Sequence, residues 1–76
     1  MLNPGAEVLS DDPFVSVIIA ARNEEGFIGH CLDSVIATTY PHDKLEVLVV
    51  DGISEDRTRE IVQDYVARCS FVRLLS

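Results

Sequence analysis

Two clusters of polar residues each follow an apolar, β-branched segment of the chain. Arg-Asn-Glu-Glu at residues 22–25 follows the run 15–21, whose last two residues, Ala20 and Ala21, let another group approach the backbone. Asp51 and Gly52 follow the second run, Leu-Glu-Val-Leu-Val-Val. A carboxylate at a strand end offers acceptors that suit the N–H of a pyrimidine or guanine base. Because ligands of open α/β sheets bind outside the carboxyl ends of the strands, these clusters predict a nucleotide pocket.

The motifs that cradle phosphates are absent from both clusters. A dinucleotide fingerprint would place Gly-x-Gly-x-x-Gly after the first strand and a P-loop would place Gly-Lys-Ser/Thr there. Residues 20–23 contain no glycine. Asp51 and Asp56 flank Gly-Ile-Ser-Glu, which lacks the alternating oxygen ligands of a calcium loop, so Asp56 is better explained as helix-start chemistry. The first cluster is therefore predicted to bind a nucleoside. Asp51 is predicted either to hydrogen-bond the base of that nucleoside or only to cap the loop that follows the second strand.

Apolar periodicity orders the chain as strand, helix, strand, helix, strand. The predicted strands cover residues 14–20, 45–50 and 71–75, and the predicted helices cover residues 24–39 and 56–69. The strands are apolar on both faces, as expected of parallel strands covered on both sides. This alternation is typical of an α/β, Rossmann-like parallel sheet with right-handed crossovers. The carboxyl ends of the first two strands then meet at one edge, which places residues 20–24 beside residues 51–54.

Local signals predict the helix ends and the state of the two cysteines. Asn23 is predicted to cap the first helix, and either Ser54 or Asp56 the second, because these types accept the N–H groups of a first helical turn. Cys31 and Cys69 fall on the apolar stripes of the two helices. Free cysteine packs as a small hydrophobe, so both thiols are expected to be buried and reduced, which fits a cytoplasmic location.

The composition argues against several classes of protein. The net charge is −7, whereas a nucleic-acid partner would require a basic patch, so no nucleic-acid partner is expected. No basic segment precedes an apolar core as in a signal peptide, and no apolar run approaches the ~20 residues of a spanning helix. Residues 1–13 combine turn-forming proline, glycine and aspartate and are predicted to form a flexible leader.

The chain is expected to be part of a longer protein. Its 76 residues suit a small domain or a piece of a larger one, and residues 71–75 look like a strand with no element after it. An uncovered apolar strand invites pairing with another copy. The isolated chain is therefore expected to self-associate.

An ordered set of motifs resembles the start of a family 2 glycosyltransferase. The set comprises Val-Ser-Val-Ile-Ile-Ala-Ala-Arg-Asn-Glu-Glu, Phe-Ile-x-x-Cys-Leu-x-Ser-Val, Tyr-Pro and Leu-Glu-Val-Leu-Val-Val-Asp-Gly-x-Ser-x-Asp-x-Thr-Arg-Glu-Ile-Val. The resemblance implies that residues 14–76 are the amino-terminal part of a GT-A domain that binds a UDP- or GDP-sugar. Asp51 would hydrogen-bond the base, and alanine at position 20 departs from the family's proline. The implied nucleotide-binding residues are Ala20, Ala21, Arg22, Glu24, Asp51 and Gly52.

The resemblance also implies the chemistry of a full-length enzyme. That enzyme would be an inverting transferase of polysaccharide synthesis, moving a sugar from a nucleotide-diphospho donor to a hydroxyl. A divalent cation, Mg²⁺ or Mn²⁺, would neutralise the diphosphate and a carboxylate would deprotonate the acceptor. In the family, both the Asp-x-Asp metal motif and this base follow later, so this chain is expected to hold neither and to be inactive alone. Any membrane association would come from other sequence, and the alternative is a non-catalytic α/β nucleotide-binding or assembly module.

Overall fold

A computed structural model describes residues 13–75 and contains a three-stranded sheet with two helices. The elements are β1 (Val15–Ala21), α1 (Ile28–Ile36), a short 3₁₀ turn (His42–Lys44), β2 (Leu45–Asp51), α2 (Thr58–Arg68) and β3 (Val72–Leu75). The predicted order of strands and helices is confirmed. The predicted leader lies outside the described residues except for Pro13, whose carbonyl oxygen accepts a hydrogen bond from the Tyr40 hydroxyl.

The three strands are parallel and lie in the order β1-β2-β3. Ala21 pairs with Asp51 across β1 and β2, so these two strands end side by side. Consecutive parallel strands require crossovers, and right-handed crossovers between sequential neighbours put both helices on one face of the sheet. The loops that follow β1 and β2 therefore leave the sheet at the same edge, as predicted.

The helix-covered face of the sheet holds the core. Leu32 of α1, Val47 and Val49 of β2 and Val62 of α2 have no exposed surface. Alternate residues of each strand point to the opposite face, because side chains alternate along a strand. Among the described residues, helices cover only the first of these faces.

The opposite face is open. Ile18 is 68% exposed, Val50 is 39% exposed and Leu75 is 46% exposed. Because these residues are apolar, the strands are apolar on both faces in the sequence, and both faces were therefore expected to be covered. In residues 13–75 that expectation is met on one face alone. We call the surface formed by Ile18, Val50 and Leu75 the open sheet face.

The first helix is shorter than predicted, and Asn23 does not cap it. The helix begins at Ile28, where no side chain makes a capping hydrogen bond. Residues 24–27 form a turn instead, in which Glu24 O accepts the N–H groups of Phe27 and Ile28 at 2.9 and 2.8 Å. Asn23 adopts a left-handed conformation, with φ of 53°, that a helix cannot contain. The physical reason is that the backbone before α1 bonds to the neighbouring loop.

Neither predicted cap, Ser54 or Asp56, occupies the N-cap position of the second helix, which is Arg57 and makes no side-chain capping bond. Thr58 is its first residue, and Asp56 Oδ1 accepts the Thr58 N–H at 2.9 Å. Ser54 bonds to Asp51 and Asn23 instead. Asp56 therefore satisfies one N–H of the first helical turn from outside the helix, without being its cap.

Tyr65 joins the two helices. Its hydroxyl lies 2.7 Å from Asp33 Oδ1 and 3.1 Å from the Gly29 carbonyl oxygen of α1. The hydrogen bond to Asp33 raises the pKa of Tyr65, and burial acts in the same direction. This contact fixes α1 against α2 and so holds the loop before each helix in place.

The expectation of two buried thiols is wrong for Cys31. Cys31 is exposed and Cys69 is partly buried, and both are free. The helical period placed Cys31 on the apolar stripe of α1, but β1 lies at the edge of the described sheet. No element of residues 13–75 covers this side of α1.

Candidate functional site

The loops after β1 and β2 are joined by hydrogen bonds that run in both directions. We call residues 22–27 and 51–58, which include the last residue of β2 and the first residue of α2, the loop pair. Three backbone N–H groups of the first loop donate to side chains that follow β2. The bonds are Asn23 N to Ser54 Oγ at 2.9 Å, Glu24 N to Thr58 Oγ1 at 2.8 Å and Glu25 N to Asp56 Oδ2 at 3.2 Å.

Bonds in the opposite direction complete this connection. The Glu55 N–H donates to Asn23 Oδ1 at 2.8 Å, and the Arg57 N–H donates to Glu25 Oε1 at 2.9 Å. Closer to the sheet, the Gly52 N–H donates to the Ala21 carbonyl oxygen at 2.8 Å. Each loop thus satisfies backbone groups of the other, and the two behave as one structural unit.

Thr58 is the buried centre of this unit, and the partly buried Asp56 is its hydrogen-bond partner. Thr58 has no exposed surface, and its hydroxyl donates to Asp56 Oδ1 at 2.5 Å. Burial acts to raise the pKa of Asp56, but hydrogen bonds from Thr58 and from the Glu25 N–H together hold that pKa below its ordinary value of 3.8. Asp56 is therefore a structural carboxylate, in agreement with its interpretation as helix-start chemistry.

Asp51 lies at the end of β2 with its side chain fully buried. Ser54 donates to it twice, from Oγ to Oδ1 at 2.5 Å and from N to Oδ2 at 3.1 Å. Arg59 Nη1 donates to Oδ2 at 3.1 Å. The Ser54 hydroxyl is the main cause that lowers the pKa of Asp51, and burial opposes it. The carboxylate accepts three hydrogen bonds from this chain, so Asp51 caps the loop after β2, and its contact with a base stays a prediction.

The six predicted nucleotide-binding residues fall into two groups in the structure. Arg22, Asp51 and Gly52 gather at the end of the sheet, where a Cβ on Gly52 would lie 3.4 Å from Arg22 Cβ. Ala20, Ala21 and Glu24 instead line an open, mostly apolar crevice of about 170 Å³ beside β1, together with Phe27, Ile28, Ile19 and Cys31. The two groups are continuous because Ala21 and Arg22 are adjacent in the chain.

Two residues of this edge were missed by sequence reasoning. Arg59 contacts the predicted site residue Asp51, but a separation of eight positions across a loop and a helix start is not a pattern that periodicity reveals. Ile53 has φ of 62°, and 79% of its surface is exposed. A β-branched residue in the left-handed region is an outlier, and no pattern in the sequence predicts this conformation.

The described residues hold neither a cluster of metal ligands nor a membrane-spanning helix. Across residues 13–75, no group of three or more His, Cys, Asp or Glu side chains is arranged to hold a metal ion. Within the same span, no helix has the length and apolar character needed to cross a membrane.

Comparison with known proteins defines the class to which this fold and edge belong. The sequence model described as Glycosyl transferase family 2 matches residues 16–76. The chain belongs to this family. Its three-stranded parallel sheet is the amino-terminal part of a GT-A fold, as the resemblance implied.

Individual relatives support the assignment to this family. The chain spans less than a fifth of the length of the first two relatives described next. Glycosyltransferase AglE of Haloferax volcanii is 53% identical over 53 residues, which are 70% of this chain and 17% of AglE. Probable glycosyltransferase YdaM of Bacillus subtilis is 38% identical over 91% of this chain and 16% of its own length. The mannosyltransferase PcManGT of Pyrobaculum calidifontis, solved with GDP-Man and Mn²⁺, superposes with a TM-score of 0.78 and 35% identity over 87% of this chain and 20% of that chain.

Proposed function

We propose that the chain is the nucleotide-binding part of an inverting glycosyltransferase. The full-length enzyme transfers a sugar from a UDP- or GDP-sugar to an acceptor hydroxyl of a growing polysaccharide. The observation that carries this proposal is the gathering of Arg22, Asp51 and Gly52 at the carboxyl edge of a family 2 sheet. The GDP-Man and Mn²⁺ in the mannosyltransferase structure support a nucleotide-sugar donor and a divalent cation.

Each predicted residue has a role that its position allows. Arg22 is exposed beside Gly52 and offers guanidinium N–H donors to the nucleoside. Glu24 lines the crevice with Ala20 and Ala21 and offers acceptors to ribose hydroxyls. Asp51 forms the floor of the base site. Gly52 lies beside Arg22, where an added Cβ would make only ordinary van der Waals contact with that side chain.

The bond-breaking chemistry is proposed to depend on the rest of the enzyme. A divalent cation neutralises the diphosphate that leaves, and a carboxylate base takes the proton of the acceptor hydroxyl. We place the ligands of that cation and that base outside this chain, which is therefore inactive alone. We also place the full-length enzyme in the cytoplasm or at the cytoplasmic face of a membrane.

The experiment is nucleotide binding and sugar transfer by the full-length protein. UDP- and GDP-sugars are supplied with Mn²⁺, release of the nucleoside diphosphate is measured, and NMR of the product gives the anomeric configuration. Arg22→Met is expected to weaken nucleotide binding about tenfold, as for the loss of a hydrogen bond to a charged group. Arg68→Met is the control, because Arg68 pairs with Asp64 at the far end of α2. Absence of nucleotide binding by the wild-type protein would overturn the proposal.

The open sheet face supports self-association of the isolated chain. Ile18, Val50 and Leu75 expose apolar surface there, and the described sheet ends at two unprotected edge strands. We expect the 76-residue chain to form dimers or larger species as its concentration rises, measured by light scattering. Ile18→Lys is expected to shift the chain towards monomer. A wild-type chain that stays monomeric at high concentration contradicts this expectation.

A further inference from the structure

The two members of the Asp51–Arg59 ion pair differ in burial, because the anion is buried and the cation is partly exposed. The Asp51 side chain has no exposed surface, whereas 39% of the Arg59 side chain is exposed. One Arg59 nitrogen, Nη1, is bonded to Asp51 Oδ2. A guanidinium carries five N–H donors in a rigid plane, so an anchored one directs its remaining donors. At this end of β2, the exposed polar member of the pair is Arg59.

The local charge favours a neutral ligand atom over a phosphate. Asp51 neutralises Arg59. The rest of the loop pair adds the carboxylates of Glu24, Glu25, Glu55 and Asp56 against the two guanidinium groups of Arg22 and Arg57, so negative charge is in excess. A phosphate site requires excess positive charge, which this combination does not supply. A carbonyl oxygen accepts a hydrogen bond without bringing a charge. The exocyclic oxygen of a nucleobase has this chemistry.

We infer that Arg59 is a specificity-determining residue that donates a hydrogen bond to an exocyclic carbonyl oxygen of the donor's base, and that Asp51 is its positioning residue. This inference rests on the proposed function, because it assumes that a nucleotide-sugar binds at this edge. Uracil and guanine carry such an oxygen, and adenine carries none. The Asp51–Arg59 pair therefore selects UDP- or GDP-sugars against ADP-sugars.

A direct contact between Asp51 and the base predicts the opposite effect of Arg59→Met on the base preference. If Asp51 itself accepts the base N–H, Arg59 must move away, and Arg59→Met uncovers the carboxylate and preserves discrimination. If Arg59 is the contact, the same substitution removes the donor and abolishes discrimination. The two arrangements can therefore be told apart by base preference.

The experiment measures the affinity of the full-length protein for UDP, GDP and ADP by calorimetry in the presence of Mn²⁺. The wild-type protein is expected to bind UDP or GDP at least tenfold more tightly than ADP. Arg59→Met is expected to weaken the preferred diphosphate about tenfold and to leave ADP unchanged. Arg59→Lys should retain part of the preference for UDP or GDP over ADP, because lysine keeps an N–H donor but lacks the planar, forked guanidinium group. Arg68→Met is the matched control, since Arg68 pairs with Asp64 at the far end of α2.

Asp51 is tested as a positioning residue by a double variant. Asp51→Asn alone is expected to reduce the base preference, and adding it to Arg59→Met should reduce the preference no further, because both act through one contact. The double variant also removes both charges, so it keeps the test available if Arg59→Met unfolds with an unpaired buried carboxylate.

Four outcomes overturn the inference. One is an unchanged preference in Arg59→Met, and another is an equal loss of affinity for all three nucleotides, which would indicate a structural role. A wild-type protein that binds nucleotides without base preference would reject the inference and leave the proposed function standing. A wild-type protein that binds no nucleotide would reject both.

Discussion

The core beneath the helices and the loop pair at the end of the sheet are stabilised in different ways. The core consists of apolar side chains such as Leu32, Val47 and Val62, none of which has exposed surface. The loop pair contains the buried polar residues Asp51 and Thr58, each bonded to specific partners. Burial of an apolar side chain is non-directional, whereas a hydrogen bond requires a partner at a defined place. The core therefore sets the stability, and the loop pair sets the shape of the site.

Typical energies agree with this division. A fully buried leucine or valine contributes about 1.5–3 kcal/mol, and a hydrogen bond contributes a net 0.5–1.5 kcal/mol, both as orders of magnitude. A cavity in the core should therefore cost more than a lost bond in the loop pair. The loss of a hydrogen bond in the loop pair should nevertheless change nucleotide binding more than a cavity in the core does, because the bonded backbone groups of the loops form the edge of the site.

The largest expected effect is a cavity in the core. Leu32→Ala removes buried methyl groups where the surroundings collapse only partly, and it should lower the free energy of unfolding by about 2–5 kcal/mol. Urea denaturation of the full-length protein measures this. Leu32→Met, which conserves volume, should cost less than about 1.5 kcal/mol. Equal costs for the two substitutions would show that Leu32 does not fill a close-packed position.

The next effect is the loss of one hydroxyl from the loop pair. Thr58→Val keeps the shape but removes the acceptor of the Glu24 N–H and the donor to Asp56, which should cost about 1–3 kcal/mol. Amide exchange at Glu24 should accelerate by about tenfold or more. Thr58→Ser retains the hydroxyl and should keep this amide protected. Slow exchange at Glu24 in the valine variant would mean that the two loops are held by other contacts.

The smallest expected effect has the opposite sign. Ile53 has φ of 62°, and a left-handed conformation costs an L-residue roughly 1–2 kcal/mol, offset in a glycine variant by the entropy of the unfolded chain. Ile53→Gly should therefore stabilise the protein by up to about 1 kcal/mol, measured by the same urea denaturation. Ile53→Ala is the control, because alanine removes the β-branch but keeps most of the cost. A glycine variant less stable than wild type would indicate that the exposed Ile53 side chain makes stabilising contacts.

Several features of the site could be predicted from the residues alone. Alternating apolar segments predicted the parallel sheet, and the parallel sheet predicted that Ala21 and Asp51 end at the same edge. The absence of glycine at residues 20–23 moved the prediction away from phosphate cradling. The inferences about the sheet and its edge are confirmed because they depend on period and chain direction, which a sequence states directly, whereas the move away from phosphate cradling stays a prediction.

The errors have a common physical cause. Asn23 is a good cap by residue type, yet its side chain accepts the Glu55 N–H from the other loop. Cys31 lies on an apolar helical stripe, yet it is exposed because no described element covers that side of α1. Both local signals were overridden by what packs nearby, and that information lies in residues far away in sequence.

The sequence by itself determined the family, the order of the elements and the edge at which they meet, because each follows from motif, period and the handedness of crossovers. Only the tertiary structure decided which groups at that edge face solvent. It buried Asp51, covered it with Arg59 from the next helix and turned residues 22–25 towards the second loop. The physical reason is that burial and hydrogen bonding depend on neighbours across space, and eight positions of chain separate Arg59 from the carboxylate that it holds.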